Sequence, residues 1–143
     1  MTDQQKHIYV IFAAAAADQI SKVVVQKVLP VHTNSGISFG LLRGVGAFLP
    51  TICSAAFLFC AYIILKSRCS KRTMTGVALM AGGVLGNLAD RIWLGHVIDW
   101  IYLPLSIAFF PNGLWFNIAD VCLSVGALLA VCGMFRQGDR SGE

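Results

Sequence analysis

Charged residues are scarce in this sequence, and their distribution excludes most soluble folds. Only 13% of the 143 residues are charged, whereas 57% are hydrophobic. The hydrophobic residues are gathered into long blocks, so most helices would lack the polar face that a soluble domain of this size needs. The length allows a single domain over residues 1–143. The blocks therefore predict membrane spans of one helical bundle.

The sequence also lacks the patterns of metal sites, disulfide scaffolds and nucleic-acid-binding surfaces. Its five cysteines show no paired ligand spacing, which predicts small buried side chains in place of metal ligands or disulfides. The net charge is +4, but the basic residues lie at the ends of hydrophobic blocks and are not interleaved with aromatic residues. We therefore expect no metal, no cofactor and no nucleic-acid partner.

Four hydrophobic blocks are each close to the ~20 residues that a helix needs to cross ~30 Å of hydrocarbon. The predicted spans are residues 8–25, 45–65, 74–94 and 114–134. The first block resembles the core of a cleavable signal peptide, but hydrophobic residues resume around Asp18 and Lys22, so we interpret it as a retained span. The basic loop 66–72 is predicted to be cytoplasmic by the positive-inside rule. Four spans then place both termini in the cytoplasm.

Two segments, residues 26–44 and 95–113, are predicted on the outer side of the membrane. Aromatic residues and prolines are concentrated in or beside the second segment. Aromatic residues next to spans favour the membrane–water interface, so we expect an interfacial segment along the outer surface. The residues concerned are Trp100, Tyr102, Pro104, Phe109, Phe110, Pro111 and Trp115.

Polar residues inside the hydrophobic blocks need an explanation, because an Asp at the centre of a span costs roughly 2.5–3.5 kcal/mol on insertion scales. Asp18 and Lys22 are four residues apart on the first helix, and a salt bridge between them would lower that cost. Asn87, Asp90 and Arg91 share one face of the third helix. A structural network between Asp90 and Arg91 is at least as good an interpretation as direct chemistry.

Two further aspartates form a candidate catalytic pair. Gly95 predicts the end of the third helix, and Asp99 follows it. On the fourth predicted helix, Asn117, Asp120 and Ser124 form one polar stripe that must face the bundle interior. Asp99 and Asp120 lie at matching depth, and two carboxylates close together in a low-dielectric site share a proton at neutral pH. We interpret them as an aspartic protease dyad that activates water without a metal.

Four sequence blocks resemble those of the prolipoprotein signal peptidases, also called signal peptidase II. They are DQISK at residues 18–22, NSGISFG at 34–40, GNLADR at 86–91 with GHVID at 95–99, and FNIAD at 116–120. Each block alone is a weak signal. Four blocks in the family's order, on the predicted four-span topology, are a specific one.

The resemblance implies an all-α membrane protein, a four-transmembrane-helix bundle with a small extracytoplasmic β-type cradle and an interfacial segment. It implies an aspartic endopeptidase of the bacterial inner membrane with its site toward the outer side. The partners would be membrane lipids and diacylglyceryl-modified lipoprotein precursors, which are cleaved just before the lipidated cysteine. We expect a monomer.

The resemblance also assigns roles to individual residues. Catalysis falls to Asp99 and Asp120, and a structural network to Asp90 and Gly86. Substrate binding or support of the site falls to Asp18, Lys22, Asn34, Asn87, Arg91 and Asn117.

Two non-enzymatic interpretations remain open from the sequence. A small transporter or proton-conducting subunit would also bury aspartates and a lysine, but it would space its carboxylates through the membrane depth. A purely structural subunit would pair every charge internally. That interpretation leaves Asn117, Asp120 and Ser124 without an evident cation in the neighbouring sequence.

Overall fold

The computed structural model describes residues 1–36, 48–67, 69–105 and 113–141. Within these ranges the chain forms four helices and four short strands. They are α1 (Asp3–Val25), β1 (His32–Asn34), α2 (Leu49–Lys66), α3 (Lys71–Trp93), β2 (Val97–Asp99), β3 (Ile101–Leu103), β4 (Leu114–Phe116) and α4 (Ile118–Ser141). Several residues named above lie outside the described ranges: 37–40 of the second block, 45–47 of the second predicted span, and Phe109, Phe110 and Pro111.

The ends of α1 and α3 follow from local capping chemistry. Thr2 precedes α1 and forms a capping box with Gln5, in which each side chain accepts a hydrogen bond from the other's backbone N–H. Ser70 accepts a hydrogen bond from the backbone N–H of Thr73 and caps α3. After α3, Gly95 adopts a φ of 77°, which only glycine adopts readily. The predicted helix stop at Gly95 is confirmed.

The fourth helix begins later than predicted. Residues 114–116 form β4, which pairs antiparallel with β3 in the register Ile101↔Phe116, Tyr102↔Trp115 and Leu103↔Leu114. Asn117 follows the strand and directly precedes α4. The prediction of a helix from residue 114 was wrong because hydrophobicity alone does not distinguish a short strand from the first turn of a span.

The helix α3 is central and contacts each of the other three helices. Small residues allow this close packing: a Cβ atom added at Gly76 would lie 2.5 Å from the backbone of Gly126 and of Ala130 on α4. A hydrophobic core joins the four helices. Its buried members are Ile11, Cys60, Ile64, Val77, Ala78, Ala81 and Ala130.

Among the described residues, three helices are long and apolar enough to cross a membrane: α1, α2, and α4 over Ile118–Arg136. Their outward faces carry large exposed hydrophobic side chains such as Phe12, Phe59 and Leu128, each more than 60% exposed. An exposed apolar surface of this extent is typical of contact with lipid. The helix α3 has several glycines and polar residues and is not among the three.

Two small antiparallel sheets lie next to the helix ends. Besides the β3–β4 pair, β1 pairs with β2 in the register His32↔Asp99, Thr33↔Ile98 and Asn34↔Val97. A single residue, Trp100, separates β2 from β3, and its backbone N–H donates to the carbonyl of Phe116. The sheets thereby hold Asp99 beside the start of α4.

Candidate active site

Asp99 is held by two amide side chains from different parts of the chain. Asn34 donates from Nδ2 to Asp99 Oδ2 at 3.0 Å, and Asn117 donates from Nδ2 to Asp99 Oδ1 at 2.7 Å. Asp99 itself is only 1% exposed. Both carboxylate oxygens therefore accept a hydrogen bond although the group is almost fully buried.

Asp120 lies in the first turn of α4 and is held by two asparagines. Asn87 donates from Nδ2 to Asp120 Oδ1 at 3.1 Å. The backbone N–H of Asn117 donates to Asp120 Oδ2 at 3.3 Å, and the backbone N–H of Asp120 donates to Asn117 Oδ1 at 2.9 Å. This reciprocal pair is a capping box at the start of α4. Asn117 is therefore the cap of the helix, where the sequence predicted a position inside it.

Asn117 connects the two aspartates. Its side chain donates to Asp99 while its backbone binds the carboxylate of Asp120. Burial raises the pKa of Asp99, which lies outside the helices, to about 6; the hydrogen bond from Asn34 partly opposes this, and the charge of Asp120 adds to it. The two carboxyl groups thus interact electrostatically, as a pair that shares a proton requires.

Lys22 is the cation at the centre of a second, ionic layer. Its Nζ lies 2.6 Å from Asp18 Oδ2 and 2.8 Å from Asp90 Oδ2, and it donates to Asn87 Oδ1 at 3.1 Å. Its side chain is 2% exposed. The predicted Asp18–Lys22 salt bridge is present, but Lys22 also joins α1 to α3, because both carboxylates need a counter-charge away from water.

The carboxylates of Asp18 and Asp90 also accept hydrogen bonds from backbone N–H groups of other elements. Asp18 Oδ1 accepts from the backbone N–H of Ala119, in the first turn of α4, at 2.9 Å. Asp90 Oδ2 accepts from the backbone N–H of Ile98, in β2, at 3.1 Å. The ionic layer therefore fixes both segments that carry the dyad, since Ile98 precedes Asp99 and Ala119 precedes Asp120.

Arg91 does not pair with Asp90 among the described residues, and that part of the sequence interpretation was wrong. Its guanidinium donates from Nη1 to the Asn87 carbonyl at 3.1 Å and from Nη2 to the Gly36 carbonyl at 2.8 Å. The backbone N–H of Gly36 in turn donates to Asn34 Oδ1 at 3.0 Å. Arg91 therefore holds the segment that orients Asn34. Asp90 and Arg91 are adjacent on the helix and point to different partners.

The sequence reasoning also missed a cation near Asn117 and Asp120. Lys22 reaches both of them through one residue, since Asn87 Oδ1 accepts hydrogen bonds from Lys22 and from Asn117 at 3.1 Å each. The link was missed because Lys22 is on a different helix, distant in sequence. In the sequence Lys22 was interpreted as the salt-bridge partner of Asp18 and, from the family resemblance, as a residue that supports the site, and neither interpretation connected it to Asp120.

Gln19 is a residue of the site that had no assigned role. Gln19 donates to Asp90 Oδ1 at 2.7 Å and to the Gly86 carbonyl at 3.1 Å. Gly86, which the resemblance assigned to the structural network, lies against Asp18, and a Cβ atom there would be 2.6 Å from Asp18 Oδ2. Gln19 could have been suspected, because it is a polar residue next to Asp18 inside a hydrophobic block.

An apolar cavity of about 240 Å³ adjoins Asp120. It is formed by β3, β4 and one face of α4, and Ser124 of the predicted polar stripe lies in its wall. The lining residues are Leu103, Leu114, Phe116, Asp120, Val121, Ser124 and Val125. No group of three or more His, Cys, Asp or Glu side chains is arranged to hold a metal ion within the described ranges.

Comparison with known proteins places this arrangement in a family. The sequence model described as Signal peptidase (SPase) II matches residues 10–136. The lipoprotein signal peptidase of Paraburkholderia phytofirmans is 34% identical over 84% of this chain and 78% of its own length. The protein of the same name from Chlorobaculum tepidum is 38% identical over 68% of this chain and 64% of its own length.

A structural comparison gives the same fold. A bacterial membrane enzyme solved by the in meso method matches with a TM-score of 0.80, covering 95% of this chain and 91% of that one, at 22% sequence identity. The family match covers most of each helix and all of the residues described above around Asp99, Asp120 and Lys22. The chain therefore belongs to the signal peptidase II family of peptidases.

Proposed function

We propose that this protein is an aspartic endopeptidase that removes signal peptides from lipoprotein precursors, with Asp99 and Asp120 as its catalytic pair. The observation that carries the proposal is the shared attachment of both carboxylates to Asn117. The two groups are 1% and 5% exposed, so the pair is shielded from bulk water. The substrate class is that named for the relatives in Paraburkholderia and Chlorobaculum.

The proposed reaction uses the pair as general acid and general base. One carboxylate takes a proton from water as the water oxygen attacks the scissile carbonyl carbon, and the protonated partner transfers its proton to the carbonyl oxygen. A neutral tetrahedral diol results. The C–N bond then breaks as a proton passes to the leaving amine, which is the new amino terminus of the lipoprotein. The raised pKa of Asp99 supports retention of the shared proton at higher pH than an isolated carboxyl allows.

The surrounding residues act as positioning groups in this scheme. Asn34, Asn87 and Asn117 are amides that donate to the dyad without adding charge. The Lys22 layer lies behind them, and its single positive charge compensates part of the negative charge of Asp18 and Asp90. Arg91 acts through Gly36 on Asn34.

The cavity beside Asp120 supports an apolar substrate. Its walls are hydrophobic except for Asp120 and Ser124. We assign it to an apolar group of the precursor close to the scissile bond, and we take the diacylglyceryl-modified cysteine as the group whose adjacent peptide bond is cut. Binding there would exclude water from the dyad while the bond is held in place.

We also propose that all four helices span a bacterial inner membrane, with both termini cytoplasmic and the dyad toward the outer side. Three apolar helices support spanning, and the basic residues around the α2–α3 connection support the orientation. The dyad lies where α3 ends and α4 begins, at the opposite end of the bundle from that connection. We propose that the enzyme acts as a monomer.

A transporter or proton-conducting subunit is not favoured. The described carboxylates lie at the two ends of the bundle: Asp3 begins α1, whereas Asp18, Asp90, Asp99 and Asp120 are gathered around the other end. An ion pathway would need polar groups distributed between these levels.

The proposal is tested with purified protein and two forms of one precursor, with and without diacylglycerol on the cysteine. Wild type should cleave the modified form before the cysteine and leave the other intact. Asp99→Asn and Asp120→Asn should each lose about 10²- to 10⁴-fold or more in rate, and the double variant should be no worse than either. Asp3→Asn, an exposed aspartate on α1, is the matched control and should retain activity. Near wild-type cleavage by folded Asp99→Asn would exclude the dyad mechanism, and so would inhibition of wild type by chelators.

A further inference from the structure

A second cavity lies at the end of the bundle opposite the dyad and has no part in the proposed reaction. Its volume is about 440 Å³, and it is formed by the first turns of α1 and α3 and the last turn of α2. Its lining combines charged, neutral polar and hydrophobic side chains. Among them are Asp3, His7, Lys66, Ser67 and Lys71, together with Leu65 and Met74.

The cavity carries cationic side chains that are free to bind an anion. Lys66 forms no ion pair among the described residues. Lys71 lies 3.7 Å from Asp3, a loose contact of a side chain that is 86% exposed. Asp3 is more closely held by Lys6, at 3.1 Å. The lining therefore has two lysines and one aspartate, and the aspartate has its own cation outside the lining.

His7 adds a hydrogen-bonding group to the wall of the cavity. The residue is 9% exposed, and no hydrogen-bond partner for its side chain lies in the described part of the chain. Its ring nitrogens are not among the buried polar atoms without a partner, so they are accessible from the cavity. A ligand with acceptor oxygens in the cavity would accept a hydrogen bond from one of them.

The apolar wall indicates what the rest of the ligand is. Leu65 is 63% exposed and continues onto the outward, lipid-facing surface of α2. A ligand with an anionic head beside the lysines and hydrocarbon tails along this surface would match both parts. A membrane lipid has this shape, and basic pockets at helix ends are a general mode of binding anionic headgroups.

We propose that this cavity is a binding site for the phosphate headgroup of an anionic phospholipid, held by Lys66, Lys71 and His7. The site lies at the level of the basic α2–α3 connection, on the opposite side of the bundle from peptide cleavage. It is independent of the catalytic assignment, because none of its residues contacts the dyad network.

The test is calorimetric titration of the purified full-length protein in a non-ionic detergent. The probes are dihexanoyl phosphatidylglycerol, dihexanoyl phosphatidylcholine and inorganic phosphate. Phosphatidylglycerol should bind saturably and more tightly than the other two. Lys66→Gln and Lys71→Gln should each weaken this binding about fivefold, and the double variant about 25-fold, as expected for about 1 kcal/mol per basic residue near an anionic lipid.

Lys27→Gln is the matched control, because Lys27 is an exposed lysine just after α1, at the other end of the bundle. It should bind phosphatidylglycerol as wild type does. His7→Phe, which keeps a ring of similar breadth, should also weaken binding. Unchanged binding by the double lysine variant would overturn the proposal, as would equal weakening by Lys27→Gln. Equally tight binding of phosphatidylcholine would refute selection of an anionic headgroup, and equally tight inorganic phosphate would refute a lipid ligand.

Discussion

Replacing Asp99 by asparagine should remove a pH dependence from the stability of the folded chain. Burial, partly offset by the hydrogen bond from Asn34, raises the pKa of Asp99 from 3.8 to about 6. A carboxyl whose pKa is raised on folding holds its proton more tightly in the folded state. Its contribution to stability is therefore complete below pH 3.8 and is lost as the pH rises through about 6. The difference between 3.8 and about 6 corresponds to about 3 kcal/mol.

The substitution also removes an acceptor, since an amide has one oxygen where the carboxylate has two. One hydrogen bond from Asn34 or Asn117 is lost, which costs about 1–3 kcal/mol. That cost does not depend on pH, so it shifts the whole stability curve of Asp99→Asn without changing its shape. Subtracting the variant's curve from that of wild type isolates the titration of Asp99.

The assay is reversible unfolding in detergent micelles at a series of pH values from about 4 to 8. The free energy of unfolding of wild type, relative to that of Asp99→Asn, should fall by about 2–2.5 kcal/mol across this range, because at pH 4 the unfolded carboxyl is already more than half ionised. Asp3→Asn, in the exposed first turn of α1, should follow wild type. Parallel curves for wild type and Asp99→Asn would refute the reasoning, because Asp99 would then have the same pKa folded and unfolded.

Three other substitutions test the network behind the dyad. Lys22→Met should destabilise the fold by about 3–5 kcal/mol, because it leaves buried carboxylates without their cation, whereas Lys27→Met should leave the unfolding free energy unchanged. Asn117→Ala should lose both the helix cap and activity. Asn117→Ser should recover about 1 kcal/mol of stability as a cap without recovering cleavage. Recovery of both, in paired unfolding and rate measurements, would contradict a role of the Asn117 side chain in holding Asp99. Gly86→Ala places a methyl group 2.6 Å from Asp18 Oδ2 and should cost about 1–3 kcal/mol; wild-type stability in the same assay would show that the contact relaxes freely.

The sequence predicted the helical part of the fold well because the hydrophobic blocks are long. Four helices occur where four blocks were identified, and Gly95 ends α3 as expected. The short strands were harder to predict from the sequence. The three residues of β4 are as hydrophobic as the start of a span, and only their pairing with β3 decides their conformation. Long-range pairing of this kind leaves no periodic signal in one sequence.

The sequence predicted which residues lie together better than it predicted the contacts among them. Asp99 and Asp120 were identified as a pair from their depth and surroundings, and the asparagines from the blocks that carry them. The partners of each charge were not predictable. A network between Asp90 and its neighbour Arg91 was one of two interpretations, but Asp90 binds Lys22 on another helix. Lys22 also supplies a cation that the local sequence around Asp120 lacks. Spacing along one helix shows which residues share a face, and it does not show which helix faces them.

The position of Lys22 has a consequence for how the chain is inserted during synthesis. On the proposed topology, α1 enters the membrane with Asp18 and Lys22 already paired within one helix, so its net buried charge is zero. The helix α3 brings Asp90, whose cation is on α1, and α3 is also the helix that lacks the apolarity of the other three. Two of its three helix partners, α1 and α2, precede it along the chain and are made first. Insertion thus depends on the order in which the helices are made, because α3 enters a bilayer that already holds α1 and α2. A chain with α1 deleted should retain α3 poorly in the membrane.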